Sequence, residues 1–314
     1  MLSPRNYEEC EIAGQLSITE NLEIYRKKGL FRKAAFNVIS QKHPVAIILG
    51  GQNGSGKSVL GEQFLSKHEQ HGIVRIEGDA LRDYHPKFEE YNKINDKLMV
   101  AFTAKDSGIW TRRLIEDAGH NRMNMLIETT LRSPDVVCET VRRLAKIGYE
   151  VQAKIIVVNY DISLVGCYKR YEDLKSARGA GRFVFDHSLV AAYKGMPQTL
   201  LRLQNEKFCS CIHLYTRTEV LFEGDYTTND ISEIVEQERR RKFTDTEIQF
   251  LNERWEMVVD KMHERSATTE EFIEMLLRIK NRIQSMITEE YPQTNIDTII
   301  NIYQNIDRSI SKIL

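Results

Sequence analysis

The stretch Gly51-x4-Gly56-Lys57-Ser58 has the residue types and spacing of a phosphate-binding loop. Glycines at 51, 54 and 56 let the backbone bend until several N–H groups converge on one anion. A helix opening near Lys57 adds its unpaired N-terminal donors and the positive end of its dipole. Gly51, Gln52, Asn53, Gly54, Ser55, Gly56, Lys57 and Ser58 are therefore candidate nucleotide contacts. Lys57 offers a mobile charge to the β- and γ-phosphates, and the Ser58 hydroxyl is a candidate Mg²⁺ ligand. The implied cofactors are ATP and Mg²⁺. Phosphoryl transfer to an alcohol also needs a carboxylate for the hydroxyl proton and cations for the transferring charge. Asp79, Glu128 and Thr130, followed by arginine-bearing segments at Arg170 and Arg182, supply those parts in workable order.

Strands must deliver these groups to one place. Val45–Leu49 reads as a buried strand running into the loop, with an amphipathic run from Val59 to Lys67 after it. A second strand, Ile73–Glu77, ends at Gly78-Asp79, and a third, Met123–Ile127, ends at Glu128-Thr129-Thr130. In open α/β sheets ligands gather at that carboxyl edge. Helical spacing covers 91–118 with a break expected near Gly108, and Ser133-Pro134 opens a helix that Gly148 stops. A strand over Glu150–Val158, a helix capped by Asp161, a helix over 186–204 and strands over 208–215 and 220–222 complete the alternation. It predicts a P-loop NTPase or kinase-like α/β fold, with a mostly parallel sheet covered by helices on both faces. Three parts are expected: a helical leader over 1–43, the kinase-like domain over 44–226, and a C-terminal helical bundle over 227–314. Ser17-Ile-Thr-Glu20 is a capping-box start in the leader; Thr244/Glu247 and Thr268/Glu271 are two more in the bundle. The bundle's helices fall at 229–243, 246–264, 269–287 and 295–313, the last capped by Asn295, and they show no chemistry in the sequence.

Composition narrows the class. Hydrophobic content of 41% and charged content of 28% suit a globular protein, and a formal net charge of −1 gives no electrostatic case for nucleic acid or an anionic membrane. The five cysteines are odd in number and lack C-x-x-C spacing, which favours a reducing compartment over a zinc site. No signal-peptide core is visible, and no run approaches the ~18 apolar residues that span a bilayer. The expected location is cytoplasmic.

Five stretches together resemble the zeta toxin family, the toxin halves of bacterial toxin–antitoxin pairs. They are Leu49–Ser58, Gly78-Asp79-x5-His85-Pro86, Ile127-Glu128-Thr-Thr130-Leu-Arg132, Lys146-Ile-Gly-Tyr-Glu150 and Arg170-Tyr171-Glu172. The resemblance covers 45–205 and implies an ATP-dependent kinase acting on the sugar of UDP-N-acetylglucosamine, chiefly its 3′-hydroxyl. It implies Asp79 as catalytic base, and Glu128 and Thr130 as sugar contacts with Arg132 beside them. Arg170 would be the first of two triphosphate arginines, and spacing favours Arg182 over Arg178 for the second. An inhibiting antitoxin protein is the implied partner; cis-inhibition by residues 1–43 or 227–314 is the alternative.

Other readings stand beside these. Glu128 reads either as a sugar ligand or as a metal partner, Arg82 as a substrate contact or an exposed loop cation, and His85 as a structural turn residue. Two departures from the family pattern bear on the acceptor. Thr129 stands where glycine is usual, and Arg112 falls where an acidic substrate contact is counted. They leave room for another nucleotide sugar, an aminoglycoside or a nucleoside as acceptor. A nucleotide-gated interaction protein is a third reading.

Overall fold

Val45–Gly50 (β1) is apolar along its whole length and buried on both faces, as a central parallel strand must be. The computed structural model describes residues 4–66, 71–289 and 291–312; residues 1–3 of the leader, Lys67 of the run after the loop, and residue 313 of the last expected helix lie outside them. Three helices precede β1: Pro4–Gly14 (α1), Ile18–Lys27 (α2) and Leu30–Ala34 (α3). After it come Lys57–Ser66 (α4), Val74–Ile76 (β2), Gly78–Leu81 (α5), a tight turn over Arg82–Tyr84, Phe88–Phe102 (α6) and Ala104–His120 (α7). Met125–Thr129 (β3), Pro134–Lys146 (α8), Glu150–Ile156 (β4), Tyr160–Arg178 (α9) and Asp186–Glu206 (α10) follow. Cys211–Tyr215 (β5) and Val220–Phe222 (β6) end the sheet. Four helices remain: Ile231–Arg240 (α11), Asp245–Glu264 (α12), Thr269–Thr288 (α13) and Gln293–Ser311 (α14).

The six strands lie in the order β2-β3-β1-β4-β5-β6. All pair in parallel except β6, which runs antiparallel to β5. This is the α/β architecture expected from the strand–helix alternation. Period-two alternation splits the strands' side chains between two cores. Ala46, Ile48, Met125, Ile127, Ala153 and Ile155 pack with Trp110, Val141 and Met196 on one face. Ile47, Leu49, Leu126 and Ile156 pack on the other with Phe64 and Val165, and in the same cluster with Leu251, Trp255, Phe272 and Ile299 of the last four helices. Among the described residues no helix is long and apolar enough to cross a membrane.

All three capping boxes form, at Ser17/Glu20, Thr244/Glu247 and Thr268/Glu271. Other boundaries differ from the expectation for tertiary reasons. The helical stretch after His85 breaks at Thr103, not at Gly108, and kinks at Asn95, whose side chain caps the restart by accepting from Lys97 and Leu98 N–H groups. Ser133 sits at the N-cap position, but its side chain makes no cap bond. Asn159, not Asp161, caps α9, accepting from the Asp161 N–H at 2.8 Å. The Asp161 carboxylate is instead taken by Arg282 of α13, at 3.1 and 3.2 Å, with both side chains nearly fully buried. Asn295 lies inside α14, where it accepts from Phe243 N–H and donates to the Arg241 carbonyl.

The Arg282–Asp161 pair ties the last helices to the sheet's helical cover. Arg282→Ala strands a buried carboxylate and should lower unfolding free energy by about 3–5 kcal/mol. Removing both partners should cost less than the sum of the two single changes, read by urea unfolding of the four proteins.

Candidate active site

At the carboxyl edge of β1 the chain turns sharply into the loop, and Gly51 N–H donates to the Thr129 carbonyl at 3.2 Å. The loop then presses against α9. A Cβ on Gly54 would sit 2.3 Å from the Ser163 carbonyl oxygen, and one on Gly166 would sit 2.4 Å from the Gly54 carbonyl oxygen. Two glycines facing each other thus allow backbone-to-backbone contact, and Gly54 also needs its positive φ of 75°. One turn beyond Gly166, α9 presents Arg170 to the cleft.

The loop is braced from behind. Gln52 is fully buried, donating to the Val158 carbonyl at 2.9 Å and accepting from Arg239 of α11 at 3.1 Å. Its side chain is therefore structural, and only its backbone remains for a ligand. Lys57 Nζ folds onto the carbonyls of Gly51 and Gln52, at 2.6 and 2.9 Å. Burial, reinforced by Arg170 and opposed by Glu128 and Asp79, brings its ammonium down to about 8.

Asn53, Gly54, Gly56, Lys57 and Ser58 line a cleft of about 540 Å³, a size suited to small-molecule ligands. Asp79, Arg82, Glu128, Thr130, Arg132, Arg170 and Arg182 line it as well. Asp79 is held at Oδ1 by Arg82 Nε at 3.0 Å, and its Oδ2 lies 3.9 Å from Arg170. Burial alone would raise this carboxyl, but Arg82, Arg170 and Arg182 outweigh it and hold it well below the usual carboxylate range. Arg82 is itself fixed by the Val100 carbonyl and Thr103 Oγ1, so it positions Asp79 and is no free loop cation. Arg182 bonds Asp83 at 3.1 Å at the cleft wall, whereas Arg178 ends α9 exposed and outside it.

Glu128 is 8% exposed and clasped by Arg75 of β2 through Nε and Nη2, at 3.2 and 2.9 Å. Leu131 adopts a left-handed φ of 57°. The flanking Thr130 and Arg132 both line the cleft while Leu131 is buried. Thr129 Oγ1 accepts from Leu131 N–H, so the bulkier residue at this departure stabilises the turn. Arg112 is exposed and off the cleft; the α7 residues that line it are Ala104, Ser107, Gly108 and Thr111. His85 is the turn residue expected, buried, with Nε2 3.2 Å from the Gly14 carbonyl oxygen.

Several lining residues carry no local sequence signal. Tyr7 of α1 closes the Asp79 side, packed edge-on to Phe185 with centroids 5.0 Å apart. Arg217, after β5, and Phe250 and Arg254 of α12 close the other end. Arg75 and Arg239 act one layer back. The residues fit a magnesium nucleotide: a glycine cradle, a lysine on its carbonyls, and the Ser58 side of the loop open to the cleft. Among the described residues no cluster of histidine, cysteine and carboxylate side chains is built to hold a metal alone.

A sequence profile described as Zeta toxin matches residues 30–230. The chain is 32% identical over 238 residues to Toxin zeta of Streptococcus agalactiae, across 73% of this chain and 81% of that one. It belongs to the zeta toxin family. Among solved structures, a chain from the PezAT chromosomal toxin–antitoxin system of Streptococcus pneumoniae superposes with a TM-score of 0.67. Its identity is 24%, and the match covers 79% of this chain and 98% of that one. AvrRxo1-ORF1:-ORF2 with ATP gives a TM-score of 0.55 at 14% identity, over 80% of this chain and 85% of that one. The fold is thus the P-loop kinase-like fold of the family.

Two outcomes follow for this family member. With Lys57 near 8 and a bound polyphosphate favouring its charged form, nucleotide binding should take up protons between pH 8 and 10, where the free ammonium is losing its proton. At pH 7 this uptake should fall to about a tenth of a proton, because the group is already mostly charged. Calorimetric heats of ATP binding in buffers of different ionisation enthalpy read this, with Lys57→Arg abolishing the effect. Second, Gly166→Ala forces backbone apart and should weaken ATP at least tenfold while the protein stays folded by circular dichroism.

Proposed function

We propose that the protein transfers the γ-phosphoryl group of ATP to a sugar hydroxyl, the 3′-hydroxyl of UDP-N-acetylglucosamine, and so poisons cell-wall precursor synthesis. The observation that carries the transfer reading is Asp79: one carboxylate, at the acceptor side of a phosphate loop, ringed by Arg82, Arg170 and Arg182. The acceptor's identity rests on the family resemblance at Glu128, Thr130 and Arg132.

The triphosphate lies along the loop's N–H groups, with Lys57 leaving the loop carbonyls for its β- and γ-oxygens. The Ser58 hydroxyl would hold Mg²⁺, which would supply charge neutralisation on the phosphate oxygens. The hydroxyl oxygen forms its bond to the γ-phosphorus, the bond to the β–γ bridging oxygen breaks, and ADP departs with that electron pair. The hydroxyl proton passes to Asp79. A weakly basic carboxylate serves because the transition state is loose and the proton becomes acidic late. Arg170 and Arg182 meet the charge on the moving group.

A separate antitoxin fits this reading better than cis-inhibition. PezAT is described as a toxin–antitoxin system, and here residues 1–43 and 227–314 supply walls to a cleft that stays open at about 540 Å³. A second acceptor is favoured by one observation: a Cβ on Gly108 would meet nothing within 4 Å, so the α7 wall leaves space for a larger group.

The test is mass spectrometry of UDP-N-acetylglucosamine after incubation with protein, Mg²⁺ and ATP. A singly phosphorylated product is expected, with Asp79→Asn slowing its formation by about 10²–10⁴-fold. ATP should bind that variant as well or better, since the arginines lose their counter-charge. Near-wild-type turnover would falsify the base assignment, and ATP hydrolysis without a phosphorylated sugar would move the acceptor to another nucleotide sugar, an aminoglycoside or a nucleoside.

A further inference from the structure

The order of the strands gives the cleft a direction. Asp79 follows β2 and Glu128 ends β3, both on one side of the phosphate loop at β1. Arg217 follows β5, on the opposite side of β1. A triphosphate lying on the loop with its γ-end toward Asp79 therefore points its nucleoside toward Arg217. The two sites abut: a Cβ on Gly56 would lie 3.9 Å from the Arg217 guanidinium carbon.

What stands there is a small π-cation assembly. The Arg217 guanidinium lies 4.4 Å from the centroid of the Phe250 ring, and that of Arg254 lies 5.1 Å from the same ring. Phe250 is half-buried, and all three side chains line the cleft. Neither arginine has an acidic partner among the described residues, unlike Arg75, Arg82 and Arg182, which are each paired. Two unpaired cations on one ring are mutually repulsive, and an anionic or π-rich ligand relieves that.

We propose that Arg217, Phe250 and Arg254 form the platform for the nucleoside end of the donor triphosphate, gripping a flat base by stacking and leaving its hydrogen-bonding edge unread. The proposal rests on the nucleotide-donor reading above and extends it to α12. Phe250 and Arg254 lie beyond residue 230, outside the stretch matched by the family profile. The last helices thus belong to the donor site. Guanidinium and phenyl planes both stack on any base, so this grip depends on the presence of a base more than on its identity.

Stacking on one aromatic ring is worth about tenfold or more in affinity, and inorganic tripolyphosphate has the phosphates without the base. The experiment is therefore calorimetric titration of the full chain with ATP and, separately, with tripolyphosphate, both with Mg²⁺. Phe250→Ala should weaken ATP about tenfold or more and tripolyphosphate less than threefold, and Phe250→Tyr should hold both within threefold of wild type. Equal losses for the two ligands would reduce α12 to a prop for the loop and overturn the platform. So would unchanged ATP affinity in Phe250→Ala. A wild-type protein that binds tripolyphosphate as tightly as ATP would remove the platform and leave the loop standing, whereas one that binds neither would sink the nucleotide-donor reading itself.

Discussion

The site depends on one close approach, the backbone of Gly54 laid against that of Gly166. No side chain fits at either position. Through this contact the loop that leaves β1 is fixed relative to α9, and so the distance between a phosphate on the loop and the guanidinium of Arg170 is fixed too. Behind the loop, the chain Arg239–Gln52–Val158 prevents it from sliding along the helix. In front, the Gly51 N–H bond to Thr129 ties the same loop to the strand that carries Glu128. Three elements far apart in sequence thereby share one frame, and side-chain chemistry is arranged on it.

Within that frame the charges are deliberately unbalanced. Lys57, Arg82, Arg170 and Arg182 converge on Asp79, with Arg182 also bonded to Asp83, while Glu128 is drawn aside by Arg75. Burial and Arg170 lower Lys57, while Arg82, Arg170 and Arg182 overcome burial to lower Asp79, so Arg170 acts on both. A polyphosphate corrects both at once. It favours the lysine's charged form and shields the aspartate from its arginines, which in the proposed reaction would make that carboxylate more basic when a hydroxyl arrives. Under the proposed function, binding of the donor would thus tune the base.

The sequence shows what is local. The loop's glycines, the acid after β2, the acid and threonine ending β3 and Arg170 within α9 are legible because strand ends and short motifs place them. The fold class follows from alternation in the same way. What escapes is set by contacts across the chain. Gly166 looks like an ordinary helix glycine until Gly54 meets it. Arg75 is one residue of a short strand, and only its pairing with β3 shows that it clasps Glu128. Asp161 has the composition of a cap but is claimed by Arg282, more than a hundred residues on. Arg112 sits at the right count from Glu128 but on the wrong side of a helix, where the turn of α7 and not the count decides which residues face inward. Tyr7, Phe250 and Arg254 give no motif at all, since their only common property is that the chain's two outer segments bring them back to the cleft, and Arg217 is one residue of the turn between β5 and β6.

That return has a consequence in time. Synthesis proceeds from the N-terminus, so Tyr7, the loop, Asp79, Glu128 and Arg170 all exist while Phe250 and Arg254 are still unmade. Until the last helices are made, the sheet face that Leu251, Trp255, Phe272 and Ile299 cover stays bare, and so does the end of the cleft that Phe250 and Arg254 wall. The complete cleft is then the last part of the molecule to be assembled.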